Sequence, residues 1–167
     1  MTTLAPVETL LRLCWFQAGP QDLPYSRSLL ALLVAAATAL SLASLQMLPD
    51  DANPLASVLM HTLLGLATPW VLLYLRGRRN RYVQTTSAMF GTSLLLTLVV
   101  LPALMALARS PAEPVVWAAY WWLAVVIWSI AVLGHILRHA LELSLPIAVG
   151  IALLYYGVSI YLNQLMG

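Results

Sequence analysis

Five long apolar runs organise this chain, near residues 28–48, 54–75, 84–108, 115–137 and 145–165. Each is close to or above the roughly 20 helical residues needed to cross a hydrocarbon core, and so predicts a membrane span. The connectors are short and carry helix breakers: "LPDDANP", "RGRRNRY", "ARSPAEP" and "RHALELSLP". None leaves room for a soluble domain.

Ahead of the first run the pattern becomes that of an amphipathic helix. Val7, Leu10, Leu11 and Cys14 recur at i, i+3, i+4 and i+7, Glu8 and Arg12 sit one turn apart on the other side, and Pro6 suits a first turn. Such a helix either lies in the cytoplasmic interface, with Trp15 and Phe16 at headgroup level, or tucks against the cytoplasmic ends of the spans. "FQAGPQDLPYS", residues 16–26, joins it to the first span. Gly19 permits a left-handed helix end, Pro20 prevents continuation, Pro24 biases Leu23 towards an extended form, and Ser26 is a candidate cap. The stretch reads as an elbow that re-aims the chain. Its other reading is a docking epitope, with Gln17, Gln21, Asp22 and Tyr25 available to a partner. The predicted fold class is all-α: a polytopic membrane bundle of five transmembrane helices (28–167) preceded by a short amphipathic interfacial helix and elbow (1–27).

Charge adds an orientation. Arg12 and Arg27 precede span one, Arg76, Arg78, Arg79 and Arg81 lie between spans two and three, and Arg138 ends span four; of the 8 basic residues only Arg109 falls on the other side. Cytoplasmic loops collect arginine and lysine, so the N-terminus is expected in the cytoplasm and the C-terminus in the periplasm. Asp50, Asp51 and Glu113 then sit in outer loops. Trp117, Tyr120, Trp121 and Trp122 form an outer aromatic belt, and Trp70 and Tyr74 a smaller inner one.

Composition fits this picture. Of 167 residues 62% are hydrophobic and only 8% charged, where a soluble domain carries roughly a quarter charged. A net charge of +2, dispersed along the chain, argues against a nucleic-acid partner. Usage rich in arginine, alanine and leucine points to a GC-rich bacterial genome and hence to the bacterial inner membrane. Glu8 precedes any basic residue, so the start does not read as a cleavable signal and the N-terminus is expected to persist. Cys14 is the single cysteine, which excludes an intramolecular disulfide and a cysteine zinc site; it reads as a small apolar residue.

Candidate chemistry is sparse. His135 and His139 are four apart and Glu142 continues their face in "HILRHALE", a spacing that can present two imidazoles and a carboxylate to one metal ion. The preferred reading is interfacial polar residues beside Arg138, and neither a metal nor a cofactor is expected. His61 lies inside span two, where an ionisable side chain is a functional hypothesis by default. It is about seven residues from the outer end of its span and His135 about twenty from the outer end of its own, a depth difference of roughly 20 Å that stops them sharing a haem. A hydrogen bond from His61 to a serine or threonine of a neighbouring span is preferred. No acidic residue lies within a span, so paired-acid catalysis is excluded and no catalytic residue is assigned. Arg76, Arg78, Arg79 and Arg81 suit anionic lipid head groups, but read first as the topogenic signal.

Packing signals are clearer. Ala31, Ala35, Ala39 and Ala43 form a ridge of small residues along span one, and Gly150 and Gly157 sit one heptad apart in span five. Span three holds Thr85, Ser87, Gly91, Thr92, Ser93 and Thr97 in its first half. These read as helix-contact faces. Pro69 and Pro102 are expected to kink spans two and three, with neighbouring helices re-satisfying the freed carbonyls.

"PVETLLRL", with Pro6, Glu8, Thr9 and Leu13, precedes the spans, and span three begins with Tyr82 and Gln84 and ends near Pro102. With five spans behind a cytoplasmic segment, this layout resembles the Yip domain family. Asp22, Leu23, Pro24 and Tyr25 differ in order from the Asp-Leu-Tyr-Gly-Pro of eukaryotic members, so no partner-binding role transfers to them. The resemblance implies a non-catalytic scaffold or accessory subunit that organises other membrane components, with membrane lipids and other membrane proteins or its own copies as partners. The alternative is a small transporter or channel component in which His61 and the polar face of span three, including Thr85, Ser93 and Thr97, line a pathway. A third reading is a metal- or haem-binding protein using His135 and His139.

Overall fold

The computed structural model describes residues 5–46, 53–109 and 115–166. Among them the regular structure is entirely helical, and the chain is a polytopic membrane bundle. The amphipathic segment is α1 (Ala5–Cys14), and the five spans are α2 (Arg27–Leu45), α3 (Pro54–Leu75), α4 (Tyr82–Arg109), α5 (Val116–Leu141) and α6 (Leu145–Met166). Short 3-10 turns, Pro20–Asp22 and Arg79–Arg81, lead into α2 and α4. Asp50, Asp51 and Glu113, expected in loops, lie outside the described residues.

The helix ends follow local chemistry. Ser26 Oγ accepts from Leu29 N at 3.2 Å and caps α2 as expected; Asn53 Oδ1 does the same for Ala56 N ahead of α3. Three helices end on a left-handed residue closed by a backbone bond across the turn: Phe16, Gly77 and Glu142, with Gln17 N to Arg12 O at 2.8 Å, Arg78 N to Leu73 O at 2.7 Å and Leu143 N to Arg138 O at 3.1 Å. The expectation for Gly19 is corrected here. Its φ is −108°, so Phe16 takes the left-handed position while Gly19 opens the next turn, donating to Asp22 Oδ2 at 2.7 Å.

α5 runs to Leu141 instead of ending at residue 137, because its C-terminus is capped from another loop. Arg76 donates to Leu141 O at 3.2 Å, and Arg81 to His139 O at 3.2 Å and Ala140 O at 3.3 Å. These terminal carbonyls have no donor within the helix, and cations suit its negative end. The arginine loop is thus a structural cap as well as a charge signal.

α4 is central, packed closely on α2 and α5, while α6 continues the layer beside α5; α3 rests more lightly on α2, α4 and α6. A close approach of α5 to α6 is at Gly134, where a Cβ would meet Val149 Cγ2 at 3.0 Å. The predicted small-residue faces are not the ones used inside the chain. Ala31, Ala35, Ala39 and Ala43 are exposed, and α2 buries Leu33, Ala37 and Ser44. Gly150 and Gly157 face open space, and α6 buries Ala148, Ala152 and Ser159. A ridge of methyl groups offers few dispersion contacts, so the face holding Leu33 wins the interior.

Tyr82 Oη donates to Leu66 O at 3.3 Å and Trp121 Nε1 to Val99 O at 3.0 Å, each one residue beyond the carbonyl, of Gly65 and of Leu98, that Pro69 and Pro102 leave without its helical donor.

Of the two placements expected for α1, the one against the ends of the spans is not adopted. Leu10 meets Gly91 of α4, and Trp128 of α5 donates to Cys14 O at 2.9 Å. Gly91 is about 15 Å along α4 from the arginine loop at 1.5 Å per residue, so α1 lies alongside the spans instead of at their ends. Its Leu10, Leu13 and Cys14 are buried and its Glu8–Arg12 pair, at 2.6 Å, faces outward.

Candidate functional site

The half of the bundle away from the arginine loop holds a cavity of about 640 Å³. It exists because α3 packs lightly over the layer formed by α2, α4, α5 and α6, and every span contributes to its wall. The lining is rich in hydroxyls: Thr38, Ser41 and Ser44 from α2, Thr62 from α3, Thr92, Ser93 and Thr97 from α4, Ser129 from α5, and Tyr155, Tyr156 and Ser159 from α6. His61, Asn163 and Gln164 complete the polar set, and no Asp, Glu or Arg among the described residues lines it.

Two polar contacts bridge spans across this space. Thr38 Oγ1 and Thr62 Oγ1 are 3.1 Å apart, and Ser159 Oγ lies 3.2 Å from His61 Nδ1. The second is the neighbour hydrogen bond expected for His61. Other hydroxyls bond back to their own helices: Ser44 to Leu40 O at 2.8 Å, Thr92 to Ala88 O at 2.8 Å and Ser129 to Val125 O at 2.7 Å. Each such hydroxyl spends its proton on the backbone, and Ser129 is in addition hydrogen-bonded to Tyr156.

The polar half of span three divides between faces. Thr92, Ser93 and Thr97 line the cavity, whereas Gly91 receives Leu10 and Thr85 Oγ1 bonds Arg81 O at 2.8 Å. Thr38, Ser41 and Ser44 were missed by sequence reasoning; their helical spacing within span one was the available signal.

His135 serves the elbow. Its Nε2 lies 2.8 Å from Ala18 O, which only accepts, so Nε2 carries the proton. Phe16 packs on one side of the ring at 5.4 Å between centroids and His139 on the other at 4.5 Å. Gln84 Nε2 donates to Gln21 O at 3.1 Å and Leu23 O at 2.6 Å. With Trp128 on Cys14 O, side chains of α4 and α5 satisfy four carbonyls of the N-terminal segment. Non-helical backbone beside membrane spans requires such internal partners. Of the docking candidates, Asp22 is used on Gly19, while Gln17, Gln21 and Tyr25 are exposed.

Of the residues weighed as a metal face, the two histidines stay together and Glu142 is engaged elsewhere. At Glu142 the chain turns left-handed, and its carboxylate goes to both Nη atoms of Arg78 and, at 3.0 Å, to Arg81 Nη2. The hydrogen bond with Arg78 is the main cause holding the Glu142 carboxyl below the ordinary carboxylate range. Among the described residues no three His, Cys, Asp or Glu side chains form a metal-binding group. Arg79 takes no part in this network; its guanidinium lies 3.8 Å over the Tyr74 ring.

No protein-family model, curated protein sequence or solved structure matches this chain.

Proposed function

We propose that this is a non-catalytic multi-pass membrane protein that receives a small, uncharged, hydrogen-bonding solute in its cavity, as a small transporter or the binding component of one. The observation carrying this reading is the hydroxyl-lined space of about 640 Å³ within the spans, to which no Asp, Glu or Arg among the described residues contributes. Its size falls within the range of small-molecule sites, roughly 300–1,000 Å³. An ion entering it would be desolvated with no counter-charge from the described residues. The lone pairs left on Ser44 and Thr92 suit hydroxyl or amide donors on the solute. The arginine distribution supports a bacterial inner-membrane location with the N-terminus in the cytoplasm, which puts the cavity in the periplasmic half.

Single cysteines at Ser93 and Thr97, in a Cys14→Ala background, test this in intact membranes. Both are expected to react with a membrane-impermeant thiol reagent while Thr85→Cys stays protected. Protection at all three positions would sink the proposal.

A second reading, the scaffold or accessory subunit implied by the Yip-like layout, is favoured by one observation: Ala31, Ala35, Ala39, Ala43, Gly150 and Gly157 all face outward. Small residues let another helix approach closely. A protein that remains monomeric in mild detergent and retains no stoichiometric partner by mass spectrometry would remove it.

A further inference from the structure

At the arginine end, a groove of about 470 Å³ runs between α2 and the α3–α4 turn, lined by Tyr25, Arg27, Leu30, Trp70, Leu73 and Arg79 among others. Arg76, Arg78 and Arg81 are committed to the end of α5 and to Glu142. Arg27 and Arg79 have no carboxylate partner among the described residues.

Arg79 is held in place without being neutralised, and Arg27 is placed at the start of a span. Trp70 and Tyr74 stack at 5.5 Å between centroids and 26° between planes, and Arg79 caps that stack over Tyr74. The aromatic faces fix the guanidinium and leave its N–H edge free. Arg27 is the first residue of α2, and no acid stands in that first turn. A cation there opposes the positive end of the helix dipole, so an anion seated beside it answers both the dipole and the side chain. The groove floor is apolar, at Leu30 and Leu73, and Trp70 and Tyr74 are the residue types that mark the headgroup level of a membrane.

We propose that Arg27 and Arg79 together hold a phosphate group, presented by an anionic phospholipid whose acyl chain lies along Leu30 and Leu73. Guanidinium forks match phosphate oxygens, the groove lies where a span meets the interface, and its floor accepts a chain that a soluble phosphate ester lacks.

Native mass spectrometry of the detergent-solubilised full chain tests the site, with phosphatidylglycerol, phosphatidylcholine and glycerol 3-phosphate titrated separately. One phosphatidylglycerol is expected to be retained in preference to phosphatidylcholine, with glycerol 3-phosphate far weaker. Arg27→Gln/Arg79→Gln lowers the apparent phosphatidylglycerol affinity at least about 10-fold. Arg12→Gln/Arg138→Gln, which removes as much charge from exposed positions elsewhere, changes it less than about 2-fold. Arg27→Lys/Arg79→Lys keeps both charges and retains the preference over phosphatidylcholine, which guards against a variant that fails to fold. An equal loss in the Arg12/Arg138 variant, equal binding of the two lipids, or a lysine variant without preference would overturn the site. Glycerol 3-phosphate matching phosphatidylglycerol would overturn the lipid assignment and make the ligand a soluble phosphate.

Discussion

Trp128 Nε1 donates to the carbonyl oxygen of Cys14 at 2.9 Å, tying the last turn of α1 to the middle of α5. The bond joins residues far apart in sequence, and His135 repeats the device at Ala18. The N-terminal segment is therefore docked through its backbone, by donors that α5 carries one heptad apart on one face.

Cys14 reports on that docking. Burial pushes its thiol up to about 11, which leaves about one thiolate in a thousand at pH 8. The native protein is expected to resist alkylation at that pH. Trp128→Phe and His135→Ala each strand a carbonyl at a cost of about 1–3 kcal/mol, and should raise the Cys14 alkylation rate at least about 10-fold. His135→Gln keeps a donor and should stay near wild type. Unchanged rates in both disruptive variants would mean that apolar contacts alone hold α1.

Acidification should weaken the lid that the arginine loop places on α5. The folded carboxyl of Glu142 titrates below its unfolded value of 4.5, chiefly through its hydrogen bond with Arg78. The stability it contributes is therefore fully present above that value and is lost as pH falls through the lower folded pKa. Thermal unfolding in detergent should show wild type above Glu142→Gln at pH 7, with the gap closing below about pH 4.5. A gap undiminished between pH 7 and pH 3 would mean that the side chain acts by packing and not by charge.

How much of this is legible in sequence depends on how far apart the partners lie. The five spans and the Ser26 cap are written in local composition, and the span limits can be read to within a few residues. The arginine loop is legible as charge. Its capping of α5 is not, because no local pattern brings Arg81 to His139 O across the α3–α4 turn. The small-residue faces mislead for a related reason: a ridge such as Ala31 to Ala43 states that a close approach is permitted, while the burial of Leu33 and Ala37 shows where dispersion contact is greater. Only the His61 and span-three walls of the cavity are visible, since each other wall contributes a few hydroxyls and none alone exceeds ordinary span composition.

Filling the cavity should separate binding from stability. Ser93→Phe projects a ring into space that no core side chain occupies, so the unfolding free energy should change by less than about 1 kcal/mol. Labelling of Thr97→Cys, one turn further along the same wall, should fall several-fold in the double variant. Undiminished labelling would show that Thr97 is reached by a route other than the cavity.

The glycines provide the sharpest contrast between packing inside the chain and packing outside it. A Cβ on Gly134 would meet Val149 Cγ2 at 3.0 Å and Val149 Cα at 3.3 Å, and the backbone atom cannot turn aside. Gly134→Ala should force α5 and α6 apart and cost about 1–3 kcal/mol in detergent unfolding. At Gly150 and Gly157 an added Cβ would meet nothing within 4 Å, so Gly150→Ala and Gly157→Ala should be neutral or stabilising by up to about 1 kcal/mol through helix propensity. Leucine at both positions should likewise leave the monomer folded, yet it would block a close helix approach from outside. If Gly150→Leu/Gly157→Leu abolishes crosslinking between copies, or to another membrane protein, while the unfolding transition is unchanged, the outward face of α6 is an association surface. Crosslinking that survives both leucines would leave that face to lipid.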